Sequence, residues 1–495
     1  MRMKTILNIS TFIFVVLTTS CTKGITDWNI DGKNASDVPA YTLFTTGQKA
    51  LVDAYNSSSV SVAPFRVLAQ EWTENTYIQE AQYNFSDYNA NAGWWQRLYG
   101  TSTPNGGTTV NPGVLSNLEA AKKKFALDIS DPAVMRNNRI IADILEVFTY
   151  HLLVGTYGDI PYSQAENNTI PYPKYDDAKT IWTDLLLRLD TCISGLNETA
   201  NSLGAADQVY NGNTAAWKKF AATLKLKMAL LLADADFATA SAKALEAVNT
   251  GIFSSNDDDA VMHYDPSSVT NANPLWQGLV NSGRHDFVPS NLLVNIMSDW
   301  NDPRLALYFT KDSHGEYSGG VPGAGNGYGI FSDFSPAMQT PDYPGVLLSY
   351  VQTEFLLAEA VERGIPVGGT AASHYNNAIV ASIRYWGGTE ADANEYLLQP
   401  AVAYATATGN WQQKLGYQKW IANYNMNWDS WSDIRRLGHP NLDVVNPPIG
   451  AKGQLPLRFT YPANESGSNA INWQDAVNKI PGGKDVVGAK LFWMK

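Results

Sequence analysis

Two kinds of side chain in this sequence have the chemistry of a binding surface: large aromatic rings, and the amides, carboxylates and guanidinium groups interleaved with them. Tyr83, Trp94 and Trp95 lie in a stretch from Phe65 to Tyr99 that also holds Trp72, Tyr77, Phe85 and Tyr88 among Asn, Gln, Ser and Thr. Trp276, Tyr317 and Tyr328 lie in a second such region, from Ser254 to about Tyr343, with Gly319, Gly320, Gly323, Gly325, Gly327 and Gly329 around the last of them. A flat ring stacks on the apolar face of a sugar or on a peptide side chain, while nearby amides and charges fix orientation by hydrogen bonds. Arg284, His285 and Asp286 could hold a charge or a hydroxyl, or could simply be a loop closed by an ion pair. Each ring taken alone suits core or loop packing as well as ligand contact. The candidate ligand-binding set is therefore Tyr83, Trp94, Trp95, Trp276, Arg284, Asp286, Tyr317 and Tyr328. Because Trp94 and Trp95 are adjacent, they diverge by about 100° on a helix, so at least one is expected at the surface.

Catalytic chemistry finds less support. The six histidines (His151, His263, His285, His314, His374, His439) are scattered, with no pair at metal-ligand spacing. No nucleophile elbow, phosphate loop or dinucleotide fingerprint occurs. The run Asn256 to Asp259 lacks the alternate-oxygen spacing of a calcium loop and reads as a solvated turn. No cofactor, metal or catalytic residue is expected. Spacing alone does not recognise the two carboxylates of a helical glycoside hydrolase or lyase, so that class stands as an alternative, as does a surface adhesin built on helical repeats. The formal charge of −12 offers no basic stripe to displace phosphate counterions, which argues against nucleic acid.

The elements that must carry these residues are mainly helical. From Asp131 to Thr250 the apolar spacing predicts four consecutive amphipathic helices: Ile141, Ile144, Phe148 and Leu152 on the first, with Leu145 alongside, and Ile181, Leu185 and Leu189 on the second, capped by Asp176 or Asp177. The third, Thr214 to about Leu232, sets Trp217, Phe220, Leu224, Met228 and Leu231 inward and Lys218, Lys219, Lys225 and Lys227 outward. The fourth runs from Thr239 to Val248 and stops at Gly251. Such helices, joined by short breaks, should stack as hairpins. Further helices are predicted from Tyr350 to Arg363, Ala371 to Trp386, Trp411 to Tyr424 and Asp429 to Leu437. The scaffold is thus mainly 131–250 and 350–437, and the loop-rich, ligand-binding portion mainly 65–113 and 254–345.

Residues 1–20 read as an export signal, with Arg2 and Lys4 ahead of an apolar run from Phe12 to Leu17. Thr18, Thr19 and Ser20 before Cys21 resemble the lipobox of bacterial lipoproteins, with Leu17 one place further from the cysteine than the strictest pattern, as lipoproteins of Bacteroidetes often show. Cys21 is then the lipidation site and 21–39 a tether to a single body, 40–495. The other cysteine, Cys192, reads as a buried small apolar residue.

Several phrases resemble one family. Gly158 to Ser163 (GDIPYS), Tyr172 to Asp176, Asp207 to Asn213 leading into Trp217 to Ala221, Phe355 to Ala360, and Trp431 to Gly438 (WSDIRRLG) are similar to the SusD/RagB family of nutrient-binding outer-membrane lipoproteins, in its shortened-tail subgroup. The resemblance implies a SusD-like fold, in which tetratricopeptide-type helical hairpins form a superhelical scaffold with a long irregular portion packed on it. It also implies a role: capture of an oligosaccharide or peptide and delivery, as a hinged lid, to a SusC-like TonB-dependent transporter at the cell surface. Thr22, Lys23 and Gly24 lack the acidic run that often directs such lipoproteins outward, and no family-wide ligand motif carries over. The lysine- and carboxylate-bearing outer faces of the scaffold fall to solvent or to the transporter.

Overall fold

The computed structural model describes residues 38–84, 90–100, 113–167, 169–442 and 454–494. The expected export signal, Cys21 and the tether to residue 37 lie outside them. Residues Ala40–Lys495 make one unit of contacts. In chain order its helices begin with α1 (Ala40–Asn56), α2 (Phe65–Leu68), α3 (Ala90–Tyr99), α4 (Val114–Asp128) and α5 (Pro132–Tyr157). They continue with α6 (Ala178–Gly195), α7 (Thr214–Leu232), α8 (Phe237–Thr250), α9 (Pro274–Trp276), α10 (Asn291–Asp299) and α11 (Leu305–Tyr308). The last are α12 (Tyr350–Glu362), α13 (Ala371–Tyr385), α14 (Glu390–Tyr396), α15 (Trp411–Ala422), α16 (Asn427–Leu437), α17 (Glu465–Ser468) and α18 (Ala470–Lys479). Three antiparallel strand pairs add to them: β1 (Trp72–Glu74) with β5 (Phe287–Pro289), β2 (Ile160–Pro161) with β3 (Tyr175–Asp176), and β4 (Ala260–Met262) with β6 (Gly345–Leu348). The fold is mainly α, and consecutive helices pack on one another from α4 through α8 and again as α12 on α13 and α15 on α16.

Local chemistry sets most of these boundaries. The Asp131 carboxylate accepts from the amides of Ala133 and Val134, with Pro132 opening α5, and Asp177, rather than Asp176, caps α6 through Thr180. Asn213, Asp236 and Ser349 cap α7, α8 and α12 in the same way, while α8 ends at Gly251 and α16 at a left-handed Gly438. Several helices have no counterpart in the periodicity reading, the longest being α4, whose Leu115, Leu118 and Phe125 are buried; α3, and α18 in the tail, are others.

The scaffold buries more than one stripe. From Ile144 to Tyr157 every residue of α5 is buried, because α1, α3, α4, α6 and α7 surround it. Two faces assigned to solvent or to the transporter are also corrected. Asp143 and Glu146 on α5 take Arg188 of α6, at 2.5 and 2.8 Å, and Lys122 of α4, at 3.1 and 2.6 Å. Lys225 and Lys227, expected outward, are buried: Lys225 ties Asp190 of α6 to Glu246 of α8. Its neighbour two residues on points to the other side of α7, into the core.

There Lys227 meets Asp429 of α16 at 2.5 Å, each side chain 4% exposed. The other oxygen of Asp429 accepts from Gln352 of α12 at 2.5 Å and from the hydroxyl of Tyr55 on α1. The ammonium also lies over the rings of Phe148 and Trp428. One carboxylate thus joins four helices drawn from across the sequence. Removing one partner of such a pair strands a buried charge, at a cost of about 3–5 kcal/mol. Lys227→Ala is expected to lose about that much in urea unfolding; a loss under about 1 kcal/mol would mean that the pair is as weak as a surface bridge.

Candidate functional site

The loop-rich portion is anchored by a pairing that spans more than 200 residues of sequence. Trp72, Thr73 and Glu74 of β1 pair with Pro289, Val288 and Phe287 of β5. Beyond the ladder, the Asn75 amide donates to the Asp286 carbonyl at 2.7 Å, and its side chain donates to the His285 carbonyl at 2.9 Å. The glycine-rich loop closes on the same unit. Gly320 donates to the Pro289 carbonyl at 2.9 Å, and a Cβ on Gly319 would lie 2.5 Å from the backbone of Ser290 and Asn291, so only glycine permits this approach. The Asn326 side chain then knots the loop: it donates to the carbonyls of Glu74 and Ala324 and accepts from the amide of Val321.

These fastenings present two aromatic pairs at the surface. Tyr328 stacks on His285 with ring centroids 3.9 Å apart and planes 11° from parallel, and Arg284 lies 5.7 Å over the ring of Tyr77. Tyr77 and Tyr328 are each 55% exposed. Arg284 is held by Asp286 at 2.6 Å, so the guanidinium is fixed in orientation while most of it faces solvent. Because Arg284 and His285 are consecutive, the two pairs share one backbone segment. The result is a ring, a fixed cation with its carboxylate, and a second ring, which is an arrangement for stacking on and hydrogen bonding to a polar ligand.

Of the sequence-derived candidates, Arg284, Asp286 and Tyr328 come together here. Tyr317 sits on the same loop, half-buried, with Lys311 5.5 Å over its ring. Trp276 is half-buried at the end of α9, and no ring contact joins it to the patch. The other three are corrected. Trp94 is fully buried and packs edge-on against Phe65; Trp95 is 8% exposed among Tyr99, Tyr157, Tyr175 and Tyr461. Both rings of the pair are inside because α3 is covered by α1, α4 and α5 on one side and by Tyr461 from the tail on another. Tyr83 is also buried, donating to the Leu68 carbonyl. Sequence reading passed over Tyr77. Its signal was negative: Trp94 and Trp95 have Leu98 and Tyr99 four residues on, a helical burial spacing, whereas Tyr77 stands among Asn75, Thr76 and Gln79.

Beneath the patch Glu74 and Glu80 are buried together. Burial, with the charge of Glu80 next, raises the Glu74 carboxyl to about 9. The acidic run near Asn256 is committed elsewhere: Asp258 pairs with Lys219 at 2.7 Å and Asp259 accepts from the amide of Tyr350 at 2.6 Å. A cavity of about 540 Å³ has different walls, including Asp159, Arg458, Tyr461, Lys479 and Phe492.

A family model described as "Starch-binding associating with outer membrane" (SusD-like) matches residues 32–462. Among solved structures, a chitin-binding protein aligns with a TM-score of 0.79 and 26% identity, over 92% of this chain and 100% of that one. A SusD homolog from Bacteroides uniformis aligns with a TM-score of 0.76 and 26% identity, over 93% and 100%. A chitin-binding SusD homolog from Flavobacterium johnsoniae shares the fold, with a TM-score of 0.74 and 23% identity over 91% and 98%. No curated protein matches the chain in sequence.

The buried carboxyl gives a pH test. A carboxyl raised from 4.5 to about 9 in the folded chain contributes stability that is whole below the lower value and lost as pH rises through the upper one. Glu74→Gln should remove that component. Its stability relative to the natural chain, from denaturant unfolding at several pH values, should rise across the interval; a constant difference would show that Glu74 is not held protonated.

Proposed function

The chain belongs to the SusD/RagB family, and we propose that it is a glycan-capturing protein of the bacterial outer membrane whose ligand lies across Tyr77, Arg284, His285, Asp286 and Tyr328. The observation that carries this reading is the packing of two half-exposed tyrosines, from separate loops, on the consecutive residues Arg284 and His285 of one buttressed segment. Exposed rings of this kind lose little conformational entropy on binding, and stacking on a pyranose face needs no rearrangement of the strand pair behind them. Tyr317 and Trp276 extend the proposed surface.

The family description and the chitin-binding structures favour an oligosaccharide over a peptide, and β-linked amino sugars are the first class to test. Among the described residues of the patch, Asp286 is engaged by Arg284 and Glu74 is buried. The role proposed is capture without turnover, in keeping with the binding description of the family. Cys21 carries the lipid anchor, the body faces the cell exterior, and a SusC-like TonB-dependent transporter receives the ligand. The helical scaffold, dense with internal ion pairs, keeps the loops in register while the body moves as a lid.

Calorimetry with soluble chitooligosaccharides tests the site. Tyr328→Ala and Tyr77→Ala should each weaken binding by about 1–3 kcal/mol, the range of a lost stacking anchor, with the unfolding midpoint unchanged. Unaltered affinity in both variants would remove the ligand from this surface, and release of shortened products would replace capture with hydrolysis. Separately, Cys21→Ala should move the protein from the membrane fraction to the soluble fraction of the cell; retention in the membrane would refute the lipid anchor.

A further inference from the structure

A second site lies where the end of the chain meets α16. A cavity of about 320 Å³ is bounded by Asp234, Arg363, Arg435, Arg436, His439 and Trp493, among others. Three of its six named walls are arginines, and they are not equally neutralised. Both oxygens of Asp234 are taken by Arg363, at 3.0 and 3.2 Å. Arg436 is held by Glu359 and, at 2.8 Å, by Asp433, which also takes Lys419. These pairings use every carboxylate in the cluster on other cations.

Arg435 has none. Its guanidinium lies 3.3 Å from the ring of Trp431 and 4.9 Å from that of Trp493, and its hydrogen bonds go to the carbonyls of Gly155, Leu457 and Trp431. Among the described residues four cations thus stand against three carboxylates, and the surplus charge is on the one with no acid in ion-pair contact. Burial pushes the Arg435 guanidinium well below its ordinary value. A desolvated cation without a counter-charge is costly. Donors are in surplus too. Among the described residues, the indole nitrogen of Trp493, whose side chain is fully buried, has no acceptor, and neither does Arg436 Nε nor His439 Nδ1. A bound group that accepted from these donors and carried negative charge would answer both deficits at once.

We propose that this cavity binds a small oxyanion, of the size of phosphate or a carboxylate, between Arg435, Arg436 and Trp493. The site is separate from the tyrosine patch and does not depend on it. An anion here clasps the Trp493 segment to α16, and so couples the end of the chain to the helix that carries Asp429.

Inorganic phosphate is the probe, titrated into the full protein at constant ionic strength against sodium chloride, with acetate as a second probe. The indole resonance of Trp493, assigned by its loss in Trp493→Phe, should shift saturably, and the unfolding midpoint should rise over the same concentration range. Arg435→Gln should weaken phosphate at least tenfold. Should that variant not fold, Trp493→Phe, which keeps the ring and removes the donor, should weaken it several-fold by calorimetry. An unmoved Trp493 resonance, a shift that chloride reproduces, or undiminished phosphate affinity in Trp493→Phe would overturn the proposal.

Discussion

The Lys227–Asp429 pair is the constraint on which the scaffold depends. Two charges removed from water must satisfy each other and their remaining hydrogen-bonding capacity from within the fold. Lys227 reaches Asp429 only if α7 lies against α16, and Asp429 is completed only if Gln352 and Tyr55 bring α12 and α1 to the same point. Apolar packing would tolerate small slips between helices; a carboxylate tied to one ammonium and two hydrogen-bond donors does not. The same ammonium, after burial itself, holds His151 on α5 well below the usual imidazole range, so this histidine is a neutral packing residue. A neighbouring network reinforces the arrangement, with Glu359 of α12 taking Arg363 and Arg436. Two helical blocks distant in sequence are thereby one frame.

That frame decides what the loops can do. The β1 and β5 segments are too short to be stable alone. They hold because Trp72 is buried between Phe287 and Phe334 and its indole donates to Tyr424 at 3.0 Å, two residues beyond α15. The loop bearing Tyr328 is then held by Gly319, Gly320 and Asn326, with Gln82 donating to the Gly323 carbonyl at 2.9 Å. The division of labour is therefore physical: charge pairs and apolar contacts fix the helices, and a thin layer of backbone hydrogen bonds transmits that order to two exposed rings.

Much of the helical frame was legible in the sequence, because caps and apolar spacing are local signals. Asp177 and Gly251 announce their boundaries, and the span Thr214–Leu232 is found as predicted. What was not legible depends on contacts made by other parts of the chain. Lys227 reads as a solvent-facing lysine until α16 supplies Asp429, some 200 residues away. One of Trp94 and Trp95 reads as a surface ring until the tail supplies Tyr461 to cover Trp95. Of the proposed surface, Arg284, Asp286 and Tyr328 stand out in the sequence because charge and aromatic residues cluster in a glycine-rich region, while Tyr77 does not, because only the β1–β5 register brings it to Arg284.

The most direct test of the account is a crystal structure of the protein saturated with a chitooligosaccharide. The account predicts sugar rings against Tyr77 and Tyr328, with Arg284 hydrogen bonded to ligand oxygen and the helical frame unmoved. Sugar found instead in the cavity between Asp159 and Phe492, with the tyrosine patch bare, would contradict it.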